Sequence, residues 1–149
     1  MYSIIKTNSE NKAFQQLVIE LDKELAIRDG DEHAFYDQFN KITTIKHVIV
    51  VFEKKIAVGC GALKEYDTNT MEIKRMYVPL DKRGKGIASM TLKVLESWAK
   101  EMGYSKCILE TGVNQPEAIG LYKKNLFTII PNYGQYTGIE NSVCFEKVL

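Results

Sequence analysis

The sequence predicts a mixed α/β domain in which helices flank a central, mostly antiparallel sheet. Short apolar runs of strand length lie between longer segments of helical periodicity. Two consecutive runs are joined by "DTN" (67–69), turn residues that favour an antiparallel hairpin, and a helix-length segment between two later runs indicates a parallel crossover. The expected order is β-α-α-β-β-β-α-β-α-β-β. The length of 149 residues suits a single domain over residues 1–149.

The first part of the chain is expected to hold a strand, two helices and a second strand. "YSIIKT" has strand character, and Asn8 or Ser9 is the candidate N-cap of the next helix. That helix is indicated by apolar residues at steps of three and four, namely Phe14, Leu17, Val18, Leu21 and Leu25. "EHAFYDQFNKI" (32–42) is expected to form a short second helix. The valine-rich run "HVIVVF" is typical of a strand covered on both faces.

The central part predicts a hairpin followed by a long amphipathic helix. "KIAVGCGALKEY" and "NTMEIKRMYV" are the hairpin strands on either side of the turn. From Gly84 the apolar period becomes helical, and Gly103 lies where a helix stop is expected. The apolar face of this helix consists of Ile87, Met90, Val94, Leu95, Trp98 and Met102.

The last part predicts one more helix and three strands. The helix is "QPEAIGLYKKN", with Pro116 in its first turn, where a missing N–H costs little. Asn114 and Glu117 have the spacing of a capping box. The remaining apolar runs predict the strands "SKCILET", "LFTII" and "SVCFEKVL".

The charge balance argues against a nucleic-acid partner. The chain has 20 basic and 19 acidic residues, for a net charge of +1, whereas domains that bind nucleic-acid phosphates are usually strongly basic. No apolar run approaches the roughly 20 residues needed to cross a bilayer. "MYSIIKTNSE" lacks the basic flank, apolar core and cleavage site of a secretory signal. We therefore expect a cytoplasmic protein without a membrane partner.

Neither a metal site nor a disulfide is predicted. Cys60, Cys107 and Cys144 are odd in number, form no C-x-x-C pair and fall in apolar stretches, which favours buried, reduced thiols. His33 and His47 have no cysteine or carboxylate at metal-ligand spacing. No metal cofactor is therefore expected.

"RGKGIA" (83–88), between a strand and a helix, is a candidate anion site. A helix N-terminus offers unpaired N–H groups and about half a positive charge. Gly84 and Gly86 leave the backbone accessible, and Arg83 and Lys85 add charge. A plain turn would have the same composition. The dinucleotide fingerprint G-x-G-x-x-G fails because position 89 is serine, and the chain contains no P-loop string.

The second half of the chain resembles the GNAT N-acetyltransferases, which transfer an acetyl group from acetyl-CoA to an amine. "RGKGIA" is similar to their pyrophosphate loop R/Q-x-x-G-x-G/A, "MEIKRMYV" to the preceding strand, and "AIGLYKKNLF" to the later helix. The resemblance covers about residues 46–149. It implies a single-domain GNAT-like fold, acetyl-CoA as acetyl donor, and a pyrophosphate site formed by Arg83, Gly84, Lys85, Gly86, Ile87 and Ala88.

Acetyl transfer to an amine needs a base for the ammonium and is helped by an acid for the departing thiolate. Glu72 lies seven positions before Pro79, where the family often carries a glutamate base. Ideal strand alternation puts Glu72 on one face with Lys74, Met76 and Val78. The alternative is an exposed glutamate paired with Lys74 or Arg75. Glu110 is the reserve base or an amine-orienting group.

The resemblance also implies an acid and further cofactor contacts. Tyr122 occupies the position of the family's general acid. A backbone N–H of Met76, Tyr77 or Val78 would hold the pantetheine and polarise the thioester carbonyl, which requires a bulge or splay in the strand. Gln115 and Asn114 are equal candidates for a side-chain contact with the cofactor.

The sequence says least about the identity of the acetyl acceptor. Related proteins shape its pocket from the first helices and the loop between the last two strands. Here those segments contain Phe35, Tyr36, Phe39, Tyr133 and Tyr136, with Asp29, Asp31 and Glu32. Aromatic rings and carboxylates together would suit a small cationic amine. The alternative is that the aromatic residues belong to the core and the acidic residues to a solvated turn. The expected acceptor is a small amine or amino acid. The alternatives are a protein lysine or N-terminus, or a CoA-binding module without transferase activity. A homodimer is common among relatives.

Overall fold

The computed structural model describes residues 1–30 and 45–149, which fold into one sheet with helices on both faces. The elements of these residues are β1 Tyr2–Thr7, α1 Lys12–Asp29, β2 His47–Glu53, β3 Ile56–Asp67, β4 Thr70–Tyr77, α2 Ile87–Glu101, β5 Lys106–Gly112, α3 Pro116–Lys124, β6 Thr128–Ile130 and β7 Ser142–Val148. The strand order is β1-β2-β3-β4-β5-β7-β6. All neighbours are antiparallel except β4 and β5. The predicted mixed, mostly antiparallel sheet is confirmed.

The sheet is buried on both faces at its centre, as the valine-rich run predicts. Ile49 and Val51 of β2 pack in the core beneath α2, whereas Val48 and Val50 pack beneath α1. Side chains of a strand alternate between faces, so a run without polar interruptions fits only where both faces are covered.

Two glycines of β3 let α2 approach the sheet closely. A Cβ atom on Gly59 would lie 2.8 Å from Cγ2 of Ile87, and one on Gly61 would lie 2.7 Å from Cδ1 of Leu95. A larger residue at Gly59 would have to displace Ile87, and one at Gly61 would have to displace the side-chain ends of Leu95 and Met76. Because α2 begins within the glycine-rich segment 83–88, at Ile87, this packing also fixes where that segment lies.

Strand β4 contains a bulge that overturns one expectation. Cys60 pairs with Tyr77 and Ala62 with Lys74, so two residues, Arg75 and Met76, face the single Gly61. Arg75 has a φ of +57°. The bulge reverses the alternation of side chains. The prediction that Glu72 and Lys74 share a face with Met76 and Val78 is therefore wrong. Met76 and Val78 pack in the core beneath α2 with Met71 and Ile73.

Strands β4 and β5 separate beyond their first residues. Their parallel pairing runs only from Thr70↔Lys106 to Glu72↔Ile108, although β4 continues to Tyr77 and β5 to Gly112. The splayed ends leave an opening in the sheet, on the same strand segment as the bulge. The bulge and splay that the carbonyl-polarising role requires are thus present in β4.

The helix starts differ from the predicted caps. Asn11, rather than Asn8 or Ser9, caps α1 through a hydrogen bond from the Phe14 N–H (2.9 Å). Gln115 is the N-cap of α3 and makes no capping bond through its side chain, while Pro116 is the first helical residue as predicted. The predicted helix over 32–42 lies outside the described residues. Within the described part of the chain, none of the helices combines the length and apolar character needed to span a membrane.

Candidate active site

Two cavities meet above the splayed strands. The larger, which we call the loop cavity, has a volume of about 410 Å³ and lies between α1, α3 and segment 83–88. The smaller, the strand cavity, has a volume of about 110 Å³ and lies among α1, β4, β5 and α3. Both are lined by Leu21, Met76, Gln115, Ala118 and Tyr122. These five residues mark the junction at which contents of the two cavities would come together.

Segment 83–88, the glycine turn, presents backbone N–H groups to the loop cavity. Gly84 and Gly86 have φ values of +78° and +81°, and a Cβ at either would meet nothing within 4 Å. Gly86 caps α2, and the first intrahelical bond runs from Met90 N–H to Gly86 O (3.0 Å). The N–H groups of the residues before Met90 therefore have no partner within the helix. Unpaired N–H groups at a helix N-terminus are donors that an anion can bind, so the anion site remains a prediction that this geometry allows.

Of the two basic side chains of the glycine turn, Arg83 lines the loop cavity and Lys85 does not. Arg83 lines the loop cavity, but its Nε donates to Val78 O (2.8 Å) and one terminal nitrogen donates to both carboxylate oxygens of Glu24 (2.8 and 3.0 Å). Arg83 thus ties the turn to α1. An anion in the cavity would share this guanidinium with Glu24. The side chain of Lys85 is exposed and lies outside the cavity lining.

An ion pair links the end of α1 to the start of α3 beside the loop cavity. Arg28 donates to both oxygens of Glu117 (2.9 and 2.7 Å), which lowers the pKa of this glutamate to about 2. Asn114 Nδ2 donates to Arg28 O (3.3 Å). The predicted capping box is therefore not formed, because both of its side chains bind α1 instead. Of the two candidate cofactor contacts, Gln115 lines both cavities and Asn114 lines neither.

Glu110 presents a buried carboxyl group to the strand cavity. Its Oε2 has no hydrogen-bond partner, and its other interactions include a hydrogen bond with the Ser142 side chain. Burial raises the pKa of Glu110 to about 7, and the negative charges of Asp29 and Glu72 act in the same direction. A carboxyl group that exchanges its proton near neutral pH suits general base catalysis.

Glu72 lines the same cavity but has both oxygens engaged. Its Oε2 accepts a hydrogen bond from the Tyr133 hydroxyl (2.6 Å), and its Oε1 lies 3.6 Å from Lys74 Nζ. Glu72 is only 6% exposed, so the alternative of an exposed surface glutamate is wrong, although its pairing with Lys74 is present. Burial and the neighbouring Glu72 raise the pKa of Tyr133, which keeps the phenol protonated as a donor.

Tyr122 stands at the junction of the cavities. It is 6% exposed, and its ring packs against Phe127 and Phe145 at centroid distances of 5.9 and 5.7 Å. Burial and the charge of Glu110 raise the pKa of the Tyr122 hydroxyl. The group therefore keeps its proton at neutral pH and can donate it or a hydrogen bond.

The bulged end of β4 forms one wall of both cavities. Met76 lines both, while Tyr77 and Val78 line the loop cavity. The carbonyl of Val78 is already bound by Arg83. The backbone to which the family resemblance assigns the thioester thus lines the same cavity as the glycine turn and Tyr122.

The acceptor residues expected from the sequence are only partly described. Asp29 and Tyr136 line the strand cavity, and Tyr133 holds Glu72. Asp31, Glu32, Phe35, Tyr36 and Phe39 lie outside the described residues. Lys74 also lines the strand cavity and was not among the predicted site residues, although its spacing of two from Glu72 in a strand places both side chains on one face. In residues 1–30 and 45–149, no three His, Cys, Asp or Glu side chains cluster so as to hold a metal ion.

Comparisons with known proteins identify the family. A family-level sequence match to "Acetyltransferase (GNAT) family" covers residues 13–126. The IAA acetyltransferase of Azospirillum brasilense is 30% identical over 99% of this chain and 97% of its own. A solved structure from Klebsiella pneumoniae, provisionally named an acyl-CoA N-acyltransferase, is 25% identical with a TM-score of 0.83, covering 100% of this chain and 98% of the other.

A third relative is a GNAT family acetyltransferase from Elizabethkingia anophelis, solved with acetyl-CoA bound. It is 20% identical with a TM-score of 0.72, over 99% of this chain and 98% of the other. The family match covers most of the chain, and the fold agrees over its whole length. The chain therefore belongs to the GNAT family of acetyltransferases, whose reaction is acyl transfer with acetyl-CoA as the donor.

Proposed function

We propose that this chain is an N-acetyltransferase that moves the acetyl group of acetyl-CoA to a primary amine of a small molecule, within one domain over residues 1–149. The observation that carries the proposal is the junction of the two cavities at Tyr122. The loop cavity offers backbone N–H groups that can bind the anionic acetyl donor. The other offers a buried carboxyl group for an amine.

The loop cavity is the proposed donor site. The diphosphate of CoA would bind the N–H groups of the glycine turn, at the positive end of α2. The acyl end would reach the backbone of the β4 bulge, with Gln115 beside it. Asn114 acts in this proposal through Arg28, which it helps to hold, rather than through the cofactor. The bound acetyl-CoA of the Elizabethkingia anophelis relative supports this class of donor.

Glu110 is the base that we propose. It takes a proton from the acceptor ammonium, and the amine nitrogen then forms a bond with the thioester carbonyl carbon. Glu110 lines the strand cavity, has a buried oxygen without a hydrogen-bond partner and has a pKa raised by burial to about 7, whereas Glu72 contacts Tyr133 and Lys74. Glu72 remains the second candidate. Backbone N–H groups near Met76 would stabilise the oxyanion of the tetrahedral intermediate.

Tyr122 is the acid that we propose for the departing sulfur. When the C–S bond breaks, the CoA thiolate needs a proton or a hydrogen bond, and the Tyr122 hydroxyl can supply either at the junction. The nitrogen loses its second proton as the amide forms, and this proton replaces the one that Tyr122 gives to the sulfur.

A screen of acceptors tests the proposed function. Purified protein with acetyl-CoA is offered small amines, amino acids, polyamines and peptides, and CoA thiol release is measured together with acetylated product. We expect stoichiometric thiol and product with at least one small amine. Transfer to peptides alone would make the chain a protein acetyltransferase. A rise in melting temperature with acetyl-CoA but no transfer to any acceptor would indicate a CoA-binding module.

Replacing Tyr122 with phenylalanine should lower kcat by roughly 100-fold and leave acetyl-CoA affinity within about twofold. General acid catalysis usually contributes about 10²- to 10⁴-fold to a rate. We expect a contribution near the lower value because a thiolate is a tolerable leaving group. The measurement is steady-state kinetics together with calorimetric titration of acetyl-CoA. Tyr104→Phe is the matched control, because its hydroxyl bonds Glu65 at an exposed site. A kcat of Tyr122→Phe equal to that of the control would reduce Tyr122 to a packing role.

A further inference from the structure

Lys74 is a buried cation that the proposed transfer reaction does not use. Its side chain is 6% exposed and lines the strand cavity. The ammonium has three donors, and the ion pair with Glu72 at 3.6 Å is longer than a hydrogen bond. A buried charge is costly unless it is paired and hydrogen-bonded. Lys74 therefore has donor capacity available toward the cavity.

The strand cavity is also lined by charged side chains other than Lys74. Arg75, the other cation of the lining, is bound through its guanidinium to Asp22 of α1. Asp29 and Glu110 supply negative charge on the same cavity, and the charges of Glu110 and Lys74 act on each other. Among the described residues, the lining thus combines a cation with donors available, Lys74, and a carboxyl group whose buried Oε2 has no partner, Glu110. This is a pattern for a ligand that carries both signs of charge.

Building on the proposed N-acetyltransferase function, we propose that the acceptor is a small amino acid or another short amino carboxylate. Lys74 binds its carboxylate, and Glu110 faces its amine. The volume of about 110 Å³ bounded by the described residues favours a molecule with few heavy atoms. A purely cationic amine would meet Lys74 without gaining a partner for it.

The contacts of Glu72 fit this assignment. The Tyr133 hydroxyl fixes one oxygen of Glu72, and the other oxygen faces Lys74. Burial lowers the pKa of Lys74, while the charge of Glu72 opposes that effect. Glu72 and Tyr133 are therefore positioning residues, which keep Lys74 charged and directed at the acceptor. This also explains why a second carboxylate lies so near the base.

Matched acceptors test the inference in the unmodified protein. L-alanine is compared with L-alaninamide, and β-alanine with 3-aminopropanamide, by CoA thiol release. The members of each pair differ in the carboxylate and have nearly the same size. We expect kcat/KM to be at least about tenfold higher for each carboxylate, because a charge-assisted contact with a buried lysine is lost in the amide. The less basic amine of the amides biases the comparison against this outcome.

The variant Lys74→Met should reduce that ratio to about one. Lys64→Met is the matched control, because Lys64 is an exposed lysine of β3 directly opposite Glu72 and should keep the wild-type ratio. Folding of each variant is checked by melting temperature with and without acetyl-CoA. If Lys74→Met does not fold, the wild-type ratios alone decide. Ratios near one, or in favour of the amides, would overturn the amino-carboxylate inference while leaving the transferase intact. No transfer to any amine would overturn both.

Discussion

Replacing Gly86 with glutamate should abolish acetyl-CoA binding, with Kd raised at least about 100-fold. The change puts a carboxylate at the N-terminus of α2, where the diphosphate should bind, and opposed like charges cost several kcal/mol. Calorimetric titration of acetyl-CoA measures the effect. The melting temperature of the variant should no longer respond to acetyl-CoA, although the chain stays folded.

Two controls separate charge from backbone strain in this experiment. Gly138→Glu introduces the same residue at a φ of +78°, again with nothing within 4 Å, in the segment between β6 and β7. It should retain acetyl-CoA binding. Gly86→Ala tests the cost of a Cβ at a φ of +81° without a charge, and should weaken binding far less than the glutamate. Normal affinity in Gly86→Glu would show that the glycine turn is not the diphosphate site.

Glutamine in place of Glu110 should lower kcat/KM by about 10²- to 10⁴-fold, the usual contribution of a general base. Because burial raises the pKa of Glu110 to about 7, its carboxylate form is lost as pH falls through 7. The wild-type log kcat/KM should therefore bend near pH 7 and decrease below it. In Glu110→Gln the bend should vanish, and the rate should rise tenfold per pH unit up to the pKa of the acceptor amine.

Glu72→Gln is the companion variant to Glu110→Gln. If Glu72 positions Lys74, its loss should raise KM for an amino-carboxylate acceptor more than it lowers kcat, and the bend near pH 7 should persist. The assignment of the base would be contradicted if Glu110→Gln kept the bend and Glu72→Gln lost it. Glu72 would then be the base, as the sequence alone suggests.

The order of elements along the chain and the burial of β2 on both faces could be predicted because they follow from the apolar pattern. The run Val48–Val51 has no polar interruption, and the structure buries its alternate side chains under α1 and α2. The position of the glycine turn was also predictable, since two glycines stand directly before a helical apolar pattern and a strand pattern precedes them.

The geometry around β4 could not be predicted. A bulge at Arg75 inserts one residue into β4, and that residue takes a φ of +57°. The sequence of β4 contains no glycine or proline that would indicate the bulge. Every side chain beyond it then changes face, which is why Met76 and not Arg75 packs beneath α2 with Met71 and Ile73. The capping box of α3 fails for a related reason, because Arg28, distant in sequence, binds Glu117. Tertiary contacts override local signals at both places.

A crystal structure with bound acetyl-CoA tests the central claim most directly, namely that the loop cavity holds the donor and opens to the strand cavity at Tyr122. We expect the diphosphate oxygens to lie within hydrogen-bond distance of N–H groups of the glycine turn. We expect the thioester carbon to lie between Met76 and Tyr122. Diphosphate bound elsewhere, or an acetyl group directed away from the strand cavity, would contradict it.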